Sequence, residues 1–321
     1  MFRLVNSFLP NTIRMKQVLV YKGLGMYEKD TAIIERVMNE HVNCDLYKVD
    51  TVSPTEIIRG RLSEGTALLA IGGGYDLGLI EALGVEGMAN IKEYVSAGGS
   101  YLGICAGAYF ACDSIEFDRG GPLEVVGERS LKFCSGVGIG PLFKPYDYKS
   151  RKGASAVNID FLLDKTVKSN GLFKGQKDQI ESQNAQKESQ ISVNGMESGK
   201  KTSKESQFRE SLVSNTMSSS LNTKVYFNGG CYFKMDEERS SDETTVLSRY
   251  LDLPDSSAAI VWCQVQAGIA VLSGAHLEYD SEDIDDGDED VLDIIPVLRE
   301  TSKDRRSVIK SLLQQLNITV K

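Results

Sequence analysis

The sequence predicts an α/β fold in which helices cover both faces of a parallel sheet. From residue 16 to residue 112, short apolar runs typical of buried strands alternate with amphipathic helical patterns. Two of these strands are followed at once by glycine-rich turns, at residues 72–74 and 103–107. Ligands of doubly wound sheets bind at the carboxyl ends of the strands, so we expect the functional site beside these turns.

Four strands and three helices account for the first part of this pattern. The clearest helix start is Ser53, an N-cap residue that is followed by Pro54 in the first turn and then by an acid. We predict strands at 17–21, 44–49 and 67–71, a fourth strand that begins at residue 100 and leads to Cys105, and helices at 29–41, 53–62 and 89–97.

Beyond residue 121 the predicted strands are shorter and form small additions beside the parallel sheet. Asn228-Gly-Gly separates two strand-like runs and is a strong tight-turn signal. A further strand pair is predicted on either side of Gly268. The predicted strands are 123–126, 131–133, 224–228, 231–233, 258–265 and 269–273, and the predicted helices are 291–299 and 304–316.

Two segments depart from the pattern of a packed domain. Residues 1–15 contain two arginines and no acid, which is typical of a short mitochondrial presequence and equally of a disordered leader. Residues 175–222 are rich in Ser, Gln, Lys, Glu and Asn and cannot bury enough apolar area to offset the entropy of ordering. We therefore predict one domain over 16–321, interrupted by a disordered polar insertion at 175–222.

The composition limits the classes of partner. The net charge is −9, and residues 281–290 alone carry seven acids, which we interpret as a solvated face rather than a calcium loop. No basic stripe favours nucleic acid, and no apolar run reaches the roughly 18 residues that a membrane span needs. Six cysteines without paired spacing indicate reduced thiols in the cytoplasm, and the absence of a CxxC motif argues against a metal site.

The turn Gly103-Ile-Cys105-Ala-Gly107 is a candidate nucleophile elbow. Such a turn, placed between a strand and a helix, lifts one reactive side chain above a parallel sheet. Glycine is needed on either side because a Cβ would crowd the neighbouring backbone, and the start of a helix favours a thiolate. The alternative from this pentapeptide alone is a buried free cysteine in a glycine-rich connection.

The chain contains only two histidines, so few partners for a thiol nucleophile exist. His41 is expected on the surface, whereas His276 follows a predicted strand with Glu278 on the same side. A Cys–His pair oriented by a carboxylate can abstract and return a proton, and the backbone near Gly73, Gly74 and Ala106 would supply an oxyanion hole. The alternative for His276 and Glu278 is an ion pair at the edge of a loop.

Five motifs occur in chain order: Gly-Gly-Gly-Tyr-Asp76, Tyr-Leu-Gly-Ile-Cys105-Ala-Gly-Ala-Tyr-Phe, Pro-Leu-Glu-Val-Val-Gly, Tyr-Phe-Asn228-Gly-Gly-Cys231 and Val-Leu-Ser-Gly-Ala-His276-Leu-Glu278. Together they resemble the N-terminal domain of eukaryotic biotin-protein ligases, in the class I glutamine amidotransferase superfamily, over 16–174 and 223–316. The resemblance implies a flavodoxin-like sheet and a Cys105-His276-Glu278 triad. It also implies that Asp76 and Asn228 contribute to the oxyanion-hole and substrate-binding region.

The resemblance further implies a regulatory or accessory role in protein biotinylation, with a biotin-protein ligase domain or a biotin-accepting carboxylase as partner and no cofactor. Biotin ligases carry a Gly-Arg-Gly-type adenylating loop in a later domain, and no such tripeptide occurs in these 321 residues. We therefore expect that the chain does not biotinylate proteins alone. Two alternatives remain open: a stand-alone thiol amidohydrolase acting on a small amide, and a catalytically inert binding module.

Overall fold

A mixed sheet of 13 strands runs through the part of the chain that the structure describes. In the computed structural model these residues are 15–62, 65–143, 145–163, 220–235, 243–253, 255, 257–285 and 287–321. One half of the sheet is parallel and carries helices, and the other half is largely antiparallel.

The parallel half contains five strands in the order β2-β1-β3-β4-β13. In chain order they are β1 (Lys16–Tyr21), β2 (Tyr47–Val52), β3 (Thr66–Ile71), β4 (Ser100–Ile104) and β13 (Gly268–Ser273). Counted by their order along the chain, these strands lie in the 2-1-3-4-5 arrangement of flavodoxin-like folds. The predicted doubly wound parallel sheet is therefore confirmed, although its fifth strand comes from far along the chain.

Helices cover both faces of the parallel half, as the sequence predicts. Leu19, Leu69 and Ile71 pack in one core cluster with apolar residues of the long helix α3 (Asp76–Ser96). The alternate residues of the same strands, including Val18 and Leu68, are fully buried on the opposite face. The helices are α1 (Glu28–His41), α2 (Pro54–Ile58), α3 (Asp76–Ser96), α4 (Ala106–Ala111), α5 (Ile294–Glu300) and α6 (Ser302–Gln315).

The other half of the sheet is larger than the small additions expected. It comprises β5 (Cys112–Phe117), β6 (Val125–Glu128), β7 (Cys134–Gly140), β8 (Ser155–Leu162), β9 (Ser220–Phe227), β10 (Tyr232–Met235), β11 (Thr244–Tyr250) and β12 (Ala258–Val265). Strand β12 pairs with β13 in the predicted antiparallel hairpin and so joins this half to the parallel half. Strands β8 and β9 pair along their whole length, from Ser155 opposite Phe227 to Leu162 opposite Ser220.

Several predicted elements differ from the observed ones, among them the helix at 53–62, which as α2 ends at Ile58. Strand β2 begins at Tyr47 rather than at residue 44, because Asn43 closes a turn there and its side chain accepts the Asp45 N–H. Helix α3 begins at Asp76 rather than at residue 89 and is broken at Gly84, whose φ is 57°. Residues 131–133 are not a strand, and β7 begins after them.

The strands on either side of Asn228-Gly-Gly do not pair with each other. Strand β9 pairs with β8, whereas β10 pairs with β7 and β12. Gly230 is required here for close packing, since an added Cβ would lie 1.8 Å from the Gly274 carbonyl oxygen. The tight-turn signal therefore marks a connection between two strands that pair with different partners, and not a hairpin.

Two further expectations concern the insertion and the acidic run. Residues 220–222 lie in β9, so the predicted insertion extends too far. The rest of the insertion and the predicted leader up to residue 14 lie outside the described residues.

In the acidic run, Ser281 and Ile284 are buried and Asp283 Oδ2 lies 2.6 Å from Arg36 Nη2, so this part is not a solvated face. No helix of the described ranges is long and apolar enough to cross a membrane.

Candidate active site

Cys105 lies on a strained turn between β4 and α4, as predicted for a nucleophile elbow. Its backbone adopts φ 51° and ψ −104°, a region that residues with a side chain rarely occupy. An added Cβ at Gly103 would lie 2.5 Å from the Gly107 carbonyl oxygen, and one at Gly107 would lie 2.2 Å from that of Ile71. The two glycines are therefore needed so that the turn can pack against β3 and itself.

The backbone around Cys105 is held by neighbouring strands. The Cys105 N–H donates to the Ser273 carbonyl at 2.9 Å, which ties the elbow to β13. The Sγ atom lies 3.8 Å from the Asn228 carbonyl oxygen, and the side chain is only 5% exposed. Helix α4 has six residues, so its dipole contributes less to a thiolate than a full-length helix would.

His276 and Glu278 meet Cys105 from the end of β13. The His276 Nδ1–H donates to Glu278 Oε1 at 2.7 Å, and the His276 side chain also hydrogen-bonds Cys105. The His276 N–H donates to the Tyr226 carbonyl at 2.9 Å, which fixes the segment after β13 against β9. The structure thus brings together the three residues that the sequence singled out, in the order thiol, imidazole, carboxylate.

The environment of His276 favours its protonated form. Burial acts to lower the pKa of the imidazole, but the charges of Glu278 and Cys105 outweigh this effect and raise the pKa well above its ordinary value. Because Glu278 and His276 are almost fully buried, at 3% and 5% exposure, solvent screens their attraction little. A protonated imidazole at this position can stabilise a thiolate on Cys105.

The glycine turn after β3 contacts the site in two ways. An added Cβ at Gly73 would lie 2.7 Å from His276 Cε1, so this glycine makes room for the imidazole ring. Gly74 lines a small cavity together with Cys105 and Ala106. The Ala106 N–H belongs to the first turn of α4, where backbone donors have no intrahelical acceptor. Gly74 and Ala106 therefore remain the candidates for an oxyanion hole.

The other two predicted site residues differ in what they contact. Asp76 is buried and its Oδ2 accepts a 2.5 Å bond from Arg129 Nε, so this carboxylate is held in an ion pair beside the small cavity. Asn228 lines the main cavity with Cys105 and His276. Its Oδ1 atom is buried and has no hydrogen-bond partner among the residues described. Asn228 therefore keeps an acceptor that a ligand could satisfy.

The main cavity is the larger of the two at Cys105, with a volume of about 320 Å³. Besides Gly74, Cys105, Asn228 and His276, it is lined by residues that the sequence did not single out as site residues. Arg151 and Asp30 lie in it together with the aromatic side chains Tyr27, Tyr146, Tyr148, Tyr226 and Tyr279. Two signals in the sequence bear on this lining. Asp30 lies in the first turn of the helix after β1 and thus near a strand's carboxyl end. The tyrosines come from four separate segments, and of these only Tyr226 lies in one of the five motifs.

Two expectations about residues outside the site are wrong. His41 is not a surface residue: it is 4% exposed, and its Nδ1 lies 2.9 Å from the Val37 carbonyl oxygen within α1. Cys44 is exposed rather than part of an apolar strand, because β2 begins only after it. The remaining cysteines outside the elbow are buried, and burial raises the pKa of Cys112 and Cys231 well above the ordinary value.

Within the described ranges no group of three or more His, Cys, Asp or Glu side chains is arranged to hold a metal ion. The site thus consists of a thiol, an imidazole and a carboxylate at the carboxyl end of a parallel sheet, next to a cavity lined by tyrosines.

These features define an α/β domain with a thiol-containing site at a strand–helix elbow. Residues 16–183 and 193–321 match the family of the biotin-protein ligase N-terminal domain, and the chain belongs to that family. The family expected from the five motifs is therefore confirmed.

The chain is also similar to individual proteins. An uncharacterized protein of Chlamydia muridarum is 31% identical over 269 residues, which cover 83% of this chain and 82% of that protein. A biotin–protein ligase of Schizosaccharomyces pombe is 28% identical over 239 residues, which cover 74% of this chain but only 29% of that ligase. A glutamine amidotransferase of Thermotoga maritima superposes with a TM-score of 0.47 at 12% identity, over 94% of this chain and 98% of that one.

Proposed function

We propose that this domain acts as an accessory unit in protein biotinylation and that Cys105 is a nucleophilic thiol assisted by His276 and Glu278. The observation that carries the catalytic part is the 2.7 Å bond between His276 and Glu278, beside a cysteine held at φ 51° in the same cavity. Membership of the biotin-protein ligase N-terminal family supports the link to biotinylation.

The proposed chemistry is acyl transfer from a small amide. The Cys105 thiolate attacks the carbonyl carbon, and the N–H groups of Gly74 and Ala106 stabilise the oxyanion that forms. The His276 imidazolium then gives its proton to the departing amine as the C–N bond breaks, leaving a thioester. Water, deprotonated by His276, adds to the thioester and releases the acid and the thiol. Glu278 keeps the imidazole in one tautomer and orientation throughout.

Alkylation of the cysteines tests the nucleophile. Limiting iodoacetamide at about pH 6.5, followed by peptide mapping, should modify Cys105 faster than the exposed Cys44, which serves as an internal reference for an unassisted thiol. His276→Ala should slow the labelling of Cys105 by about ten-fold or more, and Glu278→Gln should have a smaller effect, because it misorients the imidazole.

His41→Ala is the matched control, since it removes the other histidine of the chain, which lies in the last turn of α1 and bonds the Val37 carbonyl rather than the thiol. It should leave the ratio of Cys105 to Cys44 labelling unchanged. If the labelling of Cys105 is indifferent to His276→Ala, the thiol is not activated by this histidine and the domain is better described as a binding module.

The accessory role needs a separate assay. We expect no biotin- and ATP-dependent pyrophosphate exchange by the purified chain, because its sequence contains no Gly-Arg-Gly tripeptide. Adding the chain to a biotin-protein ligase should change the rate of biotin transfer to an acceptor carboxylase domain, and Cys105→Ser should abolish that change. An identical transfer rate with and without the chain would contradict the accessory role.

A further inference from the structure

Arg151 is a cation in the wall of the Cys105 cavity that has no assigned role. Its Nη1–H donates to the Tyr226 hydroxyl at 2.7 Å, and the guanidinium carbon lies 5.7 Å and 5.6 Å from the ring centroids of Tyr226 and Tyr279. The two rings stack on each other with centroids 4.6 Å apart. The guanidinium is therefore held half-buried against an aromatic wall in the lining of the cavity, and its five N–H donors exceed what the two tyrosine hydroxyls beside it can accept.

The carboxylates that line the same cavity are engaged elsewhere. Asp30 Oδ1 accepts the Tyr279 hydroxyl. Asp147 accepts the Lys149 N–H and the Ser150 hydroxyl, both at 3.1 Å, and so caps its own loop. Asp288 accepts the Asp290 N–H at 3.1 Å.

No carboxylate of the described residues forms an ion pair with Arg151. A half-buried guanidinium without a counter-ion is costly, because it has lost part of its hydration without gaining a partner. A ligand anion bound in the cavity would supply that partner.

From this arrangement we infer that the substrate acted on at Cys105 carries a carboxylate and that Arg151 binds it; the inference rests on the proposed thiol chemistry. The planar guanidinium presents paired N–H donors that match a carboxylate. The substrate class is therefore an amide that also bears a carboxylate. Phosphate is the competing anion, because a guanidinium also binds phosphate with paired donors and Lys29 and Lys149 line the same cavity. Competition between phosphate and acetate distinguishes the two.

Matched pairs of alkylating reagents test this specificity. The first pair is iodoacetate and iodoacetamide, and the second is N-iodoacetylglycine and N-iodoacetylglycinamide, which places the charge farther from the reacting carbon. For each pair, the rate at Cys105 is divided by the rate at the exposed Cys44, which corrects for intrinsic reactivity. In the wild type, this corrected rate at Cys105 should be higher for the anionic reagent than for the neutral one in at least one of the two pairs. Arg151→Gln should reduce that preference about ten-fold, and Arg151→Lys should restore only part of it.

Lys149→Gln is the matched control, because it removes a positive charge from the same loop and the same cavity wall. It should change the preference much less than Arg151→Gln does. If the preference for the anionic over the neutral reagent is the same in the wild type and in Arg151→Gln for both pairs, the inference is overturned. Inorganic phosphate and acetate are also compared as inhibitors of the alkylation of Cys105. If phosphate inhibits more strongly than acetate, and if this inhibition depends on Arg151, the choice of a carboxylate is overturned.

Failure of the proposed chemistry gives a different result. If Cys105 reacts no faster than Cys44 with either neutral reagent, the thiol is not activated, and the Arg151 site is then judged by binding alone. Calorimetric titration should in that case show that N-acetylglycine binds more tightly than N-acetylglycinamide to the wild type but not to Arg151→Gln. Equal binding of the two compounds to the wild type would overturn the inference independently of any reactivity.

Discussion

His276 shows how a single residue depends on partners from distant parts of the chain. Its imidazole bonds Glu278 two residues later and Cys105 from the elbow, and its backbone N–H donates to the Tyr226 carbonyl in β9. Gly73 leaves the space that the ring occupies. The orientation and charge of this histidine are therefore set by its own segment and by three others: the elbow, β9 and the glycine turn after β3.

The raised pKa of His276 predicts a pH dependence of stability. A group whose pKa is higher in the folded state than in the unfolded state stabilises the fold fully below its unfolded pKa of about 6.5. That stabilisation is lost as the pH rises through the raised, folded-state pKa. The difference in unfolding free energy between the wild type and His276→Gln should therefore be largest near pH 6 and shrink towards alkaline pH. Urea unfolding at a series of pH values measures it, and a difference that grows with pH would contradict the direction of the shift.

The thiol, imidazole and carboxylate of the site could be predicted from sequence, whereas its walls could not. Cys105 is marked by the glycines on either side of it, and His276 by the scarcity of histidines and by its neighbour Glu278. Arg151, by contrast, is one basic residue among 36, and only the tertiary fold places it over Tyr226 and Tyr279. The buried position of His41 also depends on packing that the sequence pattern did not reveal.

At the scale of elements, the elbow joins strand, turn and helix with almost no free space. The Gly107 N–H donates to the Gly72 carbonyl at 3.1 Å, so the turn before α4 is bonded directly to the glycine turn after β3. At Gly107 the backbones can approach this closely because that position lacks a side chain, whereas a Cβ at Gly72 would lie 2.3 Å from Ile34 Cδ1 of α1.

Gly107→Ala should therefore destabilise the protein. The new methyl group would lie 2.2 Å from the backbone oxygen of Ile71, which cannot move as a flexible side chain can. Overpacking of this kind costs about 1–3 kcal/mol, measured as the loss of unfolding free energy in urea. Gly287→Ala is the control, since among the described residues only the flexible Asp285 carboxylate, at 3.3 Å, would lie near the new methyl group, and it should change stability by less than about 0.5 kcal/mol. Equal effects of the two substitutions would show that the elbow is not tightly packed.

Hydrophobic periodicity predicted the parallel strands well because buried strands and amphipathic helices alternate there in simple order. It failed for the partner of β9, because the turn signal at Asn228-Gly-Gly is local while strand pairing is decided by the whole sheet. It also missed the first half of α3, where Gly78, Gly84 and Gly87 weaken the helical pattern.

At the scale of the whole molecule, the predicted insertion is joined to paired strands. Leu162 at the end of β8 lies opposite Ser220 at the start of β9, so a short bridge can connect the two strands directly. Closure of a long polar loop costs entropy that grows only slowly with length.

Replacing residues 178–215 with a short Gly/Ser bridge should therefore leave the melting temperature and the labelling of Cys105 nearly unchanged. Thermal unfolding and peptide mapping measure the two quantities. A control deletion that also removes 220–222 should be destabilising, because it takes part of β9 out of its ladder with β8. A loss of more than about 3 kcal/mol on removing 178–215 alone would mean that the segment packs against the domain.

The central position of β13 has a consequence for the timing of synthesis. This strand lies between β4, which leads to Cys105, and β12, and it delivers His276, so the fifth member of the parallel layer is made after most of the chain. A ribosome working from the N-terminus releases the elbow and the first four parallel strands long before β13. In the emerging polypeptide, Cys105 therefore has no His276 beside it. The two residues meet only when the hairpin of β12 and β13 pairs with β4.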